Sequence, residues 1–75
     1  MNAQEIIQKI QAELPDAQVY PDGEGCNFRI EVISNAFAGK SMLQQHQMIN
    51  KILAPAITSG ALHAVTLSTR VPQNV

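Results

Sequence analysis

Aromatic and cysteine side chains are scarce in this 75-residue sequence, which has no tryptophan, one tyrosine, two phenylalanines and one cysteine, Cys26. A single thiol has no partner for an internal disulfide, so nothing indicates an oxidising compartment. The first residues form neither a basic nor a long apolar leader. We therefore expect no secretion or organelle import, and a cytoplasmic location.

Long hydrophobic runs and an excess of positive charge are also missing. No segment approaches the roughly 20 apolar residues that span a bilayer, so we expect no membrane insertion. Five basic and six acidic residues give a formal net charge of -1. Because nucleic-acid affinity grows with the number of basic contacts, a protein that mainly neutralises phosphates is disfavoured. The length and the apolar content of 45% are typical of one small globular domain over residues 1–75.

The first helix and the following strands have clear patterns. Asn2 and Glu5 have the spacing of a capping box, and Pro15 predicts the end of the helix. Its apolar stripe is predicted to contain Ile6, Ile7, Ile10 and Leu14. A short strand over 18–20 is limited by a proline, a flexible turn follows over 22–25, and strict alternation predicts a strand over 28–32.

The main helix is predicted from about Ser41 to about Leu53, with Gly39 in the preceding turn and Ser41 as its N-cap. One helix face collects Met42, Gln45, His46, Ile49, Ile52 and Leu53. Pro55 either breaks this helix or opens a second short helix with Ile57 inward, and Gly60 fits a left-handed cap after it.

A last strand is predicted over 63–69, with His63, Val65 and Leu67 on one side. The element order is therefore α-β-β-α-α-β, an α+β fold. The helical connection before the last strand is long enough to set it parallel to its neighbour. Parallel pairing would bring Cys26 and His63 to the same end of the sheet.

Cys26 and His63 are the candidate ligands of a metal or cluster. Alone, Cys26 is more simply an incidental surface cysteine, and His63 a partly buried, hydrogen-bonded histidine. Together, thiolate and imidazole suit zinc or an iron-sulfur cluster, but they form only half a site. His46 could be a third nitrogen ligand, although we favour a residue of the helix face. No side chain is an obvious orienting group for a Cys-His nucleophile, so we expect no enzyme.

Several separated motifs together resemble the BolA family over residues 26 to 72. They are Phe37-Ala-Gly-Lys-Ser41, Gln45-His46-Gln47 with Ile49 and Asn50, Leu62-His63-Ala64, and Thr69. The resemblance implies a three-stranded sheet with flanking helices, similar to a class II KH fold.

Members of this family share a bridging 2Fe-2S cluster with a monothiol glutaredoxin. Carried over by position, the resemblance implies that Cys26 is the loop ligand of the cysteine-bearing branch and that His63 is the C-terminal histidine ligand. The glutaredoxin cysteine and glutathione would complete the cluster. Lys40, Ser41, His46 and Arg70 are the expected partner contacts.

Two alternatives stay open. The first is a KH-like nucleic-acid regulator with Lys40, Lys51 and Arg70 as phosphate contacts, although Met42 replaces the second glycine of a KH loop. The second is a small structural module that dimerises through its sheet edge. Without a partner we expect a monomer or a weak homodimer.

Overall fold

Two helices cover one face of a three-stranded sheet in the computed structural model, which describes residues 1–73. This confirms the predicted α+β fold. The elements in chain order are α1 (Ala3–Glu13), β1 (Gln18–Glu24), β2 (Asn27–Ile33), a 3-10 turn (Asn35–Phe37), α2 (Met42–Thr58) and β3 (Ala64–Arg70).

The sheet has β2 at its centre. β1 pairs with β2 antiparallel, from Gln18 opposite Ile33 to Glu24 opposite Asn27. β3 pairs with β2 in parallel, from Asn27 opposite Ala64 to Ile33 opposite Arg70. The predicted parallel pairing is confirmed, and the starts of β2 and β3 lie at the same end of the sheet.

The core lies between the sheet and the helices, because alternate strand residues and one stripe of each helix point to it. The fully buried side chains are Ile6, Ile10, Ile30, Val32, Ser34, Phe37, Ile49, Leu53 and Leu62. Phe37 therefore anchors the loop before α2 in the core. Within residues 1–73, no helix combines the length and the apolarity needed to cross a bilayer.

Both helices start with complete capping boxes. The Glu5 amide donates to the Asn2 side chain at 2.9 Å, and the Glu5 carboxylate accepts from the Asn2 amide. At α2, the Gln44 amide donates to the Ser41 hydroxyl at 3.2 Å, and the Gln44 side chain accepts from the Ser41 amide at 2.9 Å. Each reciprocal pair satisfies backbone donors that the helix leaves unpaired.

The first hairpin differs from the prediction. β1 continues through Pro21 to Glu24, so residues 22–24 belong to a strand and the turn contains only Gly25 and Cys26. Proline is tolerated because β1 is an edge strand, where an amide facing solvent has no ladder partner to lose. The positive φ of 65° at Gly25 suits this tight turn.

The end of α2 also differs. Pro55 lies inside the helix, which continues to Thr58, and the shorter helical segment precedes α2 as the 3-10 turn. Ala56 is buried whereas Ile57 is 41% exposed, so the predicted inward position of Ile57 is wrong. Burial of Ala56 beside Leu53 explains why the helix continues past the proline. Gly60 has a φ of 83°, which confirms its left-handed conformation.

Candidate metal centre

Cys26 and His63 meet at the shared end of β2 and β3. The His63 amide donates to the Cys26 carbonyl at 2.7 Å, and the Ala64 amide donates to the same oxygen at 3.2 Å. These two bonds begin the parallel ladder that continues with Asn27 opposite Ala64. The predicted proximity of the two residues is confirmed, because their backbones are joined by a hydrogen bond.

The side chains of Cys26 and His63 differ in their exposure to solvent. Cys26 is a free, half-buried cysteine. His63 is exposed, which corrects the expectation of a partly buried, hydrogen-bonded histidine. It precedes the first residue of β3, so the alternation that turns Val65 toward the core does not extend to it. A thiol and an accessible imidazole at one edge can both donate electron pairs to a soft metal.

A complete metal site is not formed by the part of the chain that the structure describes. No group of three or more His, Cys, Asp or Glu residues is placed to hold an ion there. His46 does not join Cys26 and His63, since it lies in the second turn of α2, whose start packs against the opposite end of β3. Its Nε2 atom is buried without a hydrogen-bond partner among residues 1–73. The helix-face interpretation of His46 is therefore the one that fits.

The opposite end of the sheet forms an open groove in front of α2. Lys40 and Arg70 both line it. Gln45 spans its wall, because its side chain donates to the Lys40 carbonyl at 2.9 Å and accepts from the buried Thr69 hydroxyl at 2.8 Å. This bridge fixes the loop that carries Ser41. The bridging role of Thr69 was missed in the sequence, where this residue appeared only among the resemblance motifs and shared strand parity with Leu67.

The basic residues do not form one patch. Lys51 lies in a separate groove between the helices, beside Glu13. Arg70 approaches Glu31 at 3.7 Å, and both side chains are about half exposed. Such exposed pairs contribute little stability. Only Lys40 and Arg70, of the three predicted phosphate contacts, therefore share a surface.

Asp16 is a second residue that the sequence prediction missed. Its carboxylate accepts from the Asn35 amide at 2.7 Å and from the Ser34 hydroxyl at 2.8 Å. These two bonds, the Asn35 bond first, lower the pKa of Asp16 below its ordinary value. They tie the end of α1 to the end of β2. Asp and Ser are so common in turns that their types gave no signal of this contact.

Comparison with known proteins identifies the family. The family model described as BolA-like protein matches residues 5–74. A BolA-like protein of Dictyostelium discoideum is 35% identical over 52 residues, which are 69% of this chain and 46% of that protein. An uncharacterized protein of Haemophilus influenzae is 36% identical over 69 residues, which are 92% of this chain and 81% of that protein. The chain thus spans less than half of the first relative and most of the second.

Solved structures show the same architecture. BolA1 from Arabidopsis thaliana superposes with a TM-score of 0.84 at 20% identity, covering 100% of this chain and 98% of that one. The BolA domain of SufE1 from Arabidopsis thaliana has a TM-score of 0.76 at 28% identity, covering 96% and 95% of the two chains. Together with the match of the family model over residues 5–74, these likenesses show that this chain belongs to the BolA-like protein family.

Proposed function

We propose that this chain is a non-enzymatic adaptor in iron-sulfur cluster trafficking or iron homeostasis, and that it shares a 2Fe-2S cluster with a monothiol glutaredoxin. The observation that carries the proposal is the hydrogen bond at the end of the sheet where β2 and β3 begin. There the His63 amide donates to the Cys26 carbonyl. This register holds a soft sulfur donor and a nitrogen donor next to each other, directly before the first residues of β2 and β3. Thiolate and imidazole are the ligand types that protein-bound iron-sulfur clusters use.

The donor set fits half of such a cluster. A 2Fe-2S cluster takes about four protein or thiol ligands, and Cys26 and His63 supply two of them. The glutaredoxin cysteine and glutathione supply the remaining thiolates in this proposal. When bound, the cluster provides a labile iron-sulfur unit that can pass to another protein. The chain itself contributes two ligands and the surface that the partner contacts.

The names of two relatives support an iron-sulfur setting. The SufE-like protein 1 of Arabidopsis thaliana, chloroplastic/mitochondrial, is 37% identical over 54 residues, 72% of this chain but 14% of that protein. One superposed structure is the BolA domain of SufE1. A BolA domain fused to such a protein is consistent with an accessory role rather than a catalytic one.

The test is anaerobic reconstitution with a monothiol glutaredoxin, glutathione, iron and sulfide. Visible absorption and circular dichroism of the mixture are compared with those of the glutaredoxin alone, and sizing shows whether a heterodimer forms. We expect a heterodimer with an altered cluster spectrum. An unchanged glutaredoxin spectrum without a complex would contradict the proposal.

Variants then assign the ligands. Cys26→Ala and His63→Ala are each expected to change the cluster spectrum, and the double variant to abolish the mixed cluster. Asn27→Ala is the matched control, since Asn27 is exposed beside Cys26 and is not a proposed ligand. A double variant that still forms the heterodimer with an unchanged spectrum would show that the ligands lie elsewhere.

A second candidate function is nucleic-acid binding, favoured by one observation. Lys40 and Arg70 line the same open groove at the start of α2. The net charge of -1 and the separate position of Lys51 oppose it. Binding of duplex DNA or single-stranded RNA that weakens with salt, and is lost in a Lys40→Gln, Arg70→Gln variant, would support it. No binding at low salt would exclude it.

A further inference from the structure

The outer edge of β3 has unpaired backbone groups. The Ala64 amide donates to Cys26 and the Arg70 carbonyl accepts from Ser34, so the even-numbered residues of β3 bond to β2. The amides and carbonyls of the odd-numbered residues Val65, Leu67 and Thr69 therefore point away from β2. β2 is the only strand beside β3, and no other backbone group in residues 1–73 bonds to them.

This edge lacks the usual protection against strand pairing. The segment Ala64–Thr69 contains no proline, no glycine and no charged residue. β1, at the other edge, contains Pro21, Asp22 and Glu24. Monomeric sheets place such residues on their edges because a long, uncharged edge pairs with another chain. The β3 edge is therefore the edge of this sheet that is open to pairing with a further strand.

One flank of α2 lies beside this edge and carries two exposed apolar residues, Leu43 and Ile57. Met48, Ile52 and Pro55 line the groove with Leu14 of α1. At 100° per residue, Leu43, His46, Asn50 and Ile57 lie on the opposite flank. Since α1 packs against β1 and α2 against β3, that flank lies over the outer edge of β3.

The flank and the edge are self-complementary. Leu43 is 68% exposed near one end of α2, Ile57 is 41% exposed near the other, and Asn50 lies midway between them. A two-fold axis at Leu67 pairs the strand antiparallel with its copy, Val65 opposite Thr69. The same axis brings Leu43 of one copy toward Ile57 of the other, as an isologous interface requires.

We propose that this chain forms a symmetric homodimer by antiparallel pairing of β3 with β3 of a second copy, with Leu43 packed against Ile57 across the interface. Like charges do not face each other between the two β3 strands, since Arg70 of one copy lies opposite Ala64 of the other. The dimer has a continuous six-stranded sheet. Its two Cys26–His63 ends lie at opposite ends of the paired strands, so it does not assemble a cluster site from two copies.

Sedimentation velocity over a concentration series tests the dimer in the absence of iron and glutaredoxin. Leu43→Glu and Ile57→Lys are each expected to raise the dimer dissociation constant by about tenfold or more. The double variant is expected to dimerise more tightly than either single variant, because opposite charges then face each other across the two-fold axis. Tyr20→Glu is the matched control, an exposed apolar residue on β1. A monomer at every concentration, or a dimer insensitive to these substitutions, would overturn the proposal.

Amide hydrogen exchange gives an independent result. The amides of Thr66 and Ser68 face β2, so they are expected to be protected at every concentration. The amides of Val65, Leu67 and Thr69 should become protected only as the dimer forms. Protection of the odd-numbered amides that does not depend on concentration, or protection of β1 instead, would contradict pairing through β3. Neither experiment involves the cluster, so failure here is distinguishable from failure of the adaptor proposal.

Discussion

Thr69 is the buried polar residue that connects β3 to the start of α2. It is 4% exposed, and its hydroxyl donates to the Gln45 side chain at 2.8 Å. Gln45 in turn holds the Lys40 carbonyl. A buried hydroxyl must be hydrogen-bonded to offset its desolvation, so the position of the Lys40 loop depends on one residue of β3.

Thr69→Val keeps the shape of the side chain but removes this donor and leaves the Gln45 oxygen unpaired. We expect a loss of about 1 to 2 kcal/mol in the free energy of unfolding. For a domain of this size that lowers the midpoint of thermal unfolding by several degrees. Thr66→Val, exposed in the same strand, is the matched control and should change the midpoint little. Equal shifts in the two variants would show that the hydrogen bond contributes nothing.

The Asp16 carboxylate predicts a pH dependence of stability. Its hydrogen bonds to Asn35 and Ser34 lower its pKa in the folded state below the ordinary value of 3.8. The folded protein therefore binds fewer protons than the unfolded chain, and this contribution is complete above the unfolded pKa and lost as pH falls through the folded pKa. Asp16→Asn should lower the urea midpoint at neutral pH, with the difference from wild type shrinking in acid.

Asp22→Asn, in the exposed part of β1, is the control for that experiment. Its urea midpoint should follow that of the wild type through the acid range. If the difference in urea midpoint between wild type and Asp16→Asn stayed constant from neutral to acid pH, stability would not depend on the protonation of Asp16. That result would contradict the prediction.

Among the elements, the β1–β2 hairpin depends most on a single backbone position. Gly23 has a φ of 140°, which other residues rarely adopt. A Cβ atom there would also overlap the Asn27 carbonyl oxygen on the facing strand. Gly25 has a φ of 65° but open space around it. The two glycines therefore serve different purposes, close approach at Gly23 and turn geometry at Gly25.

Gly23→Ala is expected to lower the free energy of unfolding by about 2 to 4 kcal/mol, from backbone strain and overlap together. Gly25→Ala should lower the free energy of unfolding by only about 1 kcal/mol, because the left-handed backbone conformation is the only source of strain there. Urea unfolding of both variants measures the difference. If Gly25→Ala proved as costly as Gly23→Ala, the close approach at Asn27 would not be the cause.

The elements also show what the sequence could predict. Periodicity and capping residues were sufficient for α1 and for the start of α2, because both signals are local. They failed where tertiary packing decides: β1 continues through Pro21 because it pairs with β2, and α2 continues through Pro55 because Ala56 is buried. The proximity of Cys26 and His63 was predictable because parallel pairing follows from the long helical connection.

At the scale of the molecule, the candidate residues fall at two ends. Cys26 and His63 lie where β2 and β3 begin, and Lys40 and Arg70 line the groove where β3 ends. Seven residues of strand separate the two ends, about 20 Å. At that distance direct coupling is weak, so a cluster at the first end should not respond electronically to substitutions at the second. Lys51→Gln, in the separate groove between the helices and outside the expected partner contacts, is the control for the ligand assignment.

The most direct test of the adaptor proposal is pulsed electron paramagnetic resonance of the reduced, reconstituted complex with glutaredoxin. A histidine ligand gives a strong nitrogen hyperfine coupling to the reduced cluster. We expect this coupling in the wild type and in Lys51→Gln, and its loss in His63→Ala, in which His46 is still present. A coupling that persists in His63→Ala, or that is absent from the wild type, would contradict ligation by His63.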